Sequence, residues 1–324
     1  MRISVFATAL MLALCVFIME SSHAQWTWTP QTGRWVNLKS LPMETPELQI
    51  EHARSLMLQG QYRQALRETD KFTQFYSDSE LADENQFLRG EIRIAQGRLL
   101  EGSQEFQRVI ANYPDTQYFD DAIAKQYEIG DELFEVGQSR LDKRWRPFRK
   151  RPIKRAGEVY AMVVDNQPFT AAAAEAQYKI GLTHYVRKEY LTAAFEYRRV
   201  VEDYSASEWV NEASYGLAMC YYNLSLPPEY DQSPSKMTMS SIDSFRSRYP
   251  SDERVDGLME KREEMRQNIA QQRLQVARFY ERRRNFDSAR IYYQVVVEQF
   301  PGTEAAESAQ AWLEANPAHD RAPA

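Results

Sequence analysis

A loose unit recurs about every 36 residues along this chain, and it restricts the possible folds more than any other feature. A small residue is followed by an aromatic, an alanine, a second aromatic and finally an aromatic-proline pair. The clearest copy is Ala277, Tyr280, Phe286, Ala289, Tyr293 and Phe300-Pro301. Upstream, the same frame reads Gly181, Tyr190, Ala193, Tyr197 and Tyr204, and before that Gly90, Gly97, Leu99, Gly102, Phe106 and Tyr113-Pro114. The pattern describes two antiparallel helices. The small residue lets them approach closely, the aromatic wedges between them, and proline stops the second helix because it cannot continue one.

This is tetratricopeptide-like spacing. It predicts an all-α helical-hairpin solenoid of about six repeats, almost purely helical and without a sheet, in one continuous array over residues 47–315. The first repeat pairs residues 47–59 with 61–77 and the second 80–96 with 98–112. The third opens at Asp120, but its second helix waits until Ile153, which makes residues 138–152 an insertion. Repeat four spans Ala171 to Tyr204. Repeat five pairs Asn211–Leu224 with Pro234–Tyr249, and a long helix over 252–283 feeds repeat six and a closing helix from Thr303 to Ala315. Thr45 and Pro46 read as the cap and first residue of the first helix. Residues 316–324 read as a disordered tail.

Residues 1–24 have the pattern of a cleaved signal peptide: Arg2, an apolar stretch from Ile3 to Met19, and small residues at Ser22 and Ala24. Leu14 before Cys15, with Val16-Phe17-Ile18 after it, argues against lipidation at Cys15. The exported product would then keep only Cys220, so no disulfide framework exists, and Cys220 reads as a helix-core residue.

The net charge of −6 argues against nucleic acid as a partner. Catalytic signatures are also missing: there is no glycine-rich phosphate loop, and His52, His184 and His319 lie far apart without metal-ligand spacing. Ser233-Pro234-Ser235-Lys236 matches a spacing found in some acyl enzymes, yet it opens a repeat helix, where Ser and Pro serve as cap and first turn. No catalytic residue, metal or cofactor is nominated.

Three features could carry partner binding. Residues 140–155 hold nine basic side chains against one acid, among them Arg144, Arg149, Lys150 and Arg151, interleaved with Trp145 and Phe148. Such a loop suits an anionic membrane surface or an acidic protein, or it is a solvated linker. Residues 25–46 read as an extended arm with Trp26, Trp28 and Trp35, which either fold back on the first repeat or meet a partner. First helices of such repeats line an inner groove, and by register Phe87, Tyr178, Tyr215 and Tyr222 point towards it.

The second half also resembles a known family. Asp231-Gln232-Ser233-Pro234-Ser235, Ile242-Asp243-Ser244-Phe245, Tyr249-Pro250, Val276-Ala277-Arg278-Phe279-Tyr280-Glu281-Arg282 and Phe300-Pro301-Gly302-Thr303 are similar to the outer-membrane assembly lipoprotein BamD, from about Ala171 to Leu313. The resemblance implies a non-enzymatic periplasmic scaffold at the outer membrane. Its partners would be envelope proteins, including a BamA-like barrel-insertion protein and unfolded outer-membrane proteins. No contact residue is carried over from the family. A cell-envelope or division coordinator using the same repeats is the alternative, and a periplasmic hydrolase a remote one.

Overall fold

The computed structural model describes residues 26–29, 34–37, 40–141 and 150–317. The signal-peptide reading, Arg144, Trp145, Arg149 and the tail beyond residue 317 lie outside the described residues. The chain divides into two compact units, with the boundary between Val109 and Ile110.

The first unit opens with a correction. The arm is not merely extended chain: Trp26–Thr29 (β1) and Arg34–Asn37 (β2) pair antiparallel, with Trp28 opposite Trp35. The expectation of a sheet-free protein fails here because both tracts are rich in Trp, Thr and Val, which favour strands, and a Pro30 to Gly33 segment separates them. All other elements among the described residues are helices. In this unit they are α1 (Pro46–Leu58), α2 (Tyr62–Phe75), α3 (Ala82–Ala95) and α4 (Leu99–Asn112), the last crossing the unit boundary. Thr45 caps α1 by accepting from the Leu48 amide at 3.3 Å, with Pro46 in the first turn.

The second unit contains α5 (Phe119–Leu141), α6 (Arg151–Asn166), α7 (Ala171–Val186), α8 (Tyr190–Asp203), α9 (Trp209–Leu224), α10 (Ser233–Arg248), α11 (Val255–Arg282), α12 (Phe286–Gln299) and α13 (Glu304–Ala315). Consecutive helices pack as antiparallel hairpins. α5 runs through Gly137 to Leu141, so the first four residues of the expected insertion are helical, and α6 begins at Arg151-Pro152, where proline suits a first turn.

The small-residue and aromatic pairs fall where the repeat frame puts them. A Cβ on Gly90 would lie 2.5 Å from the Phe106 ring, on Gly130 2.5 Å from Tyr160, and on Gly181 2.7 Å from Tyr197. Tyr197 is held from its other side as well, since a Cβ on Gly216 would also meet its ring at 2.7 Å. A second-helix aromatic therefore fills the space between the first helix of its own repeat and that of the next. In repeat six Ala277 and Tyr293 join the buried core, and α13 closes it with Trp312 stacked on Tyr293 at 4.3 Å.

The within-repeat turns share a second constraint. The residue seven places after the small residue adopts positive φ: Gly60 at 75° and Gly97 at 72°, but also Lys188 at 65° and Arg284 at 58°. The left-handed conformation is free for glycine and strained for the two cations.

A polar clamp recurs under the packing. Gln49 donates to the backbone carbonyl and carboxylate of Glu68, Gln86 to those of Glu105, and Gln177 to those of Glu196. Three residues beyond each glutamate a cation completes the set: Lys71, Arg108 and Arg199. Burial works against ionisation of Glu105, yet hydrogen bonds from Gln86 and Arg108 and the nearby Arg89 outweigh it and hold the carboxyl below its usual range.

Candidate partner-binding surfaces

In the second unit the first helices α7 and α9 carry three of the four aromatics expected to line an inner groove. Tyr178 on α7 stacks on Trp209 of α9 at 5.0 Å and lies beside Tyr197 at 5.6 Å. Tyr215 on α9 lies under the Arg254 guanidinium at 4.6 Å, near Phe245. Two helical turns further on, the Tyr222 hydroxyl donates to Glu264 of α11 at 2.8 Å, and Lys261 sits 4.8 Å over its ring. These rings are half buried, and each contacts the next first helix or its start. Phe87, on α3 of the first unit, is also half buried and packs on Phe106 at 5.0 Å.

A hub that sequence reading missed ties this face together. Arg254, at the start of α11, binds Asp252 and Glu212 at 2.8 Å each and Asn211 at 3.0 Å. The hydrogen bonds from Arg254, against a smaller opposing effect of burial, hold the Asp252 carboxyl well below the usual range. The only signal for such a hub is charge spaced about a whole repeat apart, which no local pattern distinguishes from solvated charge.

The other candidates are placed separately. Trp28 remains 48% exposed on β1, and the side chains of Trp26 and Trp35 lie outside the described residues. The end of the arm is tied to the first repeat: the Met43 amide donates to Gln49 at 2.7 Å, and its carbonyl accepts from the Tyr76 hydroxyl. Lys150 and Arg151 are exposed at the start of α6. Ser233 spends its hydroxyl on Asp231 at 2.9 Å as part of the helix start. Among the described residues no group of His, Cys, Asp or Glu could hold a metal ion, and no helix is long and apolar enough to cross a membrane.

Two grooves were also invisible in the sequence. One of about 910 Å³ in the first unit is lined by Arg63, Arg67, Asp70, Arg93 and Arg98. Another of about 480 Å³, between α8, α9 and α10, is lined by Arg198, Leu217, Tyr221, Met237, Phe245 and Arg248.

The face formed by α7, α9 and α11 lies within residues 146–319, which match the model of the YfiO family, described as outer membrane lipoprotein, over more than half of the chain. The chain belongs to the YfiO family. This is the family of the BamD resemblance, and the match begins upstream of the residues that carried it, inside the basic segment. No match was found among the curated proteins. Solved structures similar to this YfiO-family chain include a thermophilic TPR protein from Thermus thermophilus, 13% identical, covering 68% of this chain and 98% of its own, with a TM-score of 0.32. A tetratricopeptide repeat protein from Parabacteroides merdae is 14% identical over 83% of this chain and 97% of its own, with a TM-score of 0.31. The C-terminal part of a TPR repeat-containing protein from Cytophaga hutchinsonii is 12% identical over 82% and 88%, with a TM-score of 0.32. The fold assignment rests on the hairpins themselves and takes nothing from these likenesses.

Proposed function

We propose that this YfiO-family chain is a non-enzymatic scaffold exported to the periplasm and held at the outer membrane, where it binds proteins that assemble outer-membrane β-barrels. Its partners on this reading are a BamA-like barrel-insertion protein and unfolded outer-membrane proteins. The observation that carries it is the family match over residues 146–319, the stretch that includes the first-helix face. That face offers Tyr178, Tyr215 and Tyr222 beside Arg254 and Lys261, a mixture of rings and cations suited to an extended or helical segment. The arm tryptophans and Phe87 are further contact candidates in the first unit.

Affinity purification of the tagged full chain from solubilised envelopes tests the reading, with wild type compared with Tyr222→Ala/Lys261→Glu. Barrel-assembly proteins should co-purify with wild type and be depleted in the variant, whose substitutions lie at a partly exposed site. Recovery of division or wall-synthesis proteins in their place would support the coordinator alternative and overturn the assembly role.

A further inference from the structure

The start of α6 and the turn between α7 and α8 meet at one edge of the second unit. The end of α5 lies against the start of α6, since a Cβ on Gly137 would come within 2.3 Å of Ile153. The start of α6 in turn touches the turn between α7 and α8, where the Lys150 ammonium donates to the Arg187 carbonyl at 2.8 Å. This brings Arg140, Lys150, Arg151, Lys154, Arg155 and Lys188 to the same edge. Among the described residues, Lys154 has a distant pairing with Glu158 at 3.8 Å, and the other five make no ion pair. Their isolation contrasts with the chain as a whole, which is net negative.

Two placements here oppose the fold's own stability. First, α6 carries three cations within its first turn and a half, with Lys150 at its N-cap, no acid in its first turn and no side-chain cap. The amide dipoles already make a helix start positive, so these charges are repelled there. Some helices follow the favourable rule: α3 opens with Asp83 and Glu84, α5 with Asp120 and Asp121, and α13 with Glu304 and Glu307. α2, α7, α8 and α10 also open without an acid, but none of them gathers several cations there. Second, Lys188 occupies the left-handed turn position that repeats one and two give to glycine. Cations that weaken the free protein at two independent points are what an edge completed by an external anion would retain.

We propose that this edge binds the phosphate headgroups of an anionic lipid bilayer. Charge distributed from Arg140 to Lys188 suits a laterally extended surface, whereas a single phosphate ion needs donors converging on one point. The inference does not depend on which proteins the scaffold binds, so its failure and that of the assembly role are separable.

The test is co-sedimentation of the full chain with vesicles of phosphatidylcholine alone or mixed with phosphatidylglycerol. The apolar N-terminal segment contributes to both vesicle types, so the ratio between them is the readout. The variant Arg151→Glu/Lys154→Glu/Lys188→Glu leaves the Lys150 contact intact and places acids at a helix start, where they favour the helix. Wild type should prefer the anionic vesicles, and the variant should lose on the order of a hundred-fold in that preference. Raising salt from about 0.05 M to about 0.5 M should weaken wild type in the same direction. The charge-conserving set Arg151→Lys/Lys154→Arg/Lys188→Arg should bind like wild type. Equal binding of anionic vesicles by wild type and the Glu variant, both helical by circular dichroism, overturns the proposal. So does capture of polyglutamate without vesicle binding, which would assign the edge to an acidic protein. Displacement of vesicles by inorganic phosphate, but not by chloride at equal ionic strength, would indicate a discrete ion site and also overturn it.

Discussion

Lys188 illustrates how one side chain can serve something other than the stability of its own fold. Its φ of 65° is one that an L-residue adopts at a cost and glycine adopts freely. Lys188→Gly should therefore stabilise the protein by about 1 kcal/mol, read as a higher thermal midpoint, while weakening attachment to anionic vesicles. A lower midpoint would show that the side chain, and not the backbone, dominates at this turn. Gly181 is the opposite case, since its hydrogen faces the Tyr197 ring where a Cβ would meet it at 2.7 Å. Gly181→Leu should overpack the crossing and cost on the order of 1 to 3 kcal/mol in a denaturant melt, and an unchanged midpoint would contradict the register. Cys220 is fully buried, and burial pushes its thiol up to about 12. Native protein should react with a thiol reagent only at the rate at which this helix opens, so rapid stoichiometric labelling would place Cys220 elsewhere.

Between helices, the polar clamps set how a hairpin responds to lost contacts and to acid. Gln86→Ala removes the donor facing the buried Glu105 carboxylate and should cost about 1 to 3 kcal/mol, because the group left behind has been withdrawn from water. Glu105 and Asp252 both have folded pKa values below their unfolded ones. The stabilisation they supply is therefore complete above the ordinary carboxylate range near pH 4 and is lost as pH falls through the depressed folded values. Thermal midpoints should decline below about pH 4, and the decline should be shallower in Glu105→Gln, which cannot ionise. A wild-type profile flat down to about pH 2 would mean that neither carboxylate contributes.

Across the molecule, a repeat array spreads stability over neighbouring hairpins and does not concentrate it in one core. Tyr197 sits between Gly181 and Gly216, so the lesion in Gly181→Leu belongs to α7, α8 and α9. Hydrogen exchange should show protection lost mainly in those helices and largely retained in α12 and α13, which have their own cluster around Tyr293 and Trp312. Uniform loss across the second unit would instead mean a single cooperative block.

By itself the sequence determined the helical hairpins, because their signals are local or periodic: a small residue at each crossing, an aromatic at a set distance, and proline or threonine at the helix ends. The pair Gly130 and Tyr160 keeps the same contact across the insertion, which shifts the frame without changing its members. The strand pairing of Trp26–Thr29 with Arg34–Asn37 was not, because four-residue tracts with aromatics and Pro or Gly nearby read equally as irregular arm. Only the tertiary structure decided which charges meet. Arg254 reaches Glu212, and Lys150 reaches the Arg187 carbonyl, from separate helices or turns. Such encounters depend on how neighbouring hairpins are turned against each other, and a charged side chain shows no periodic trace of that in the sequence.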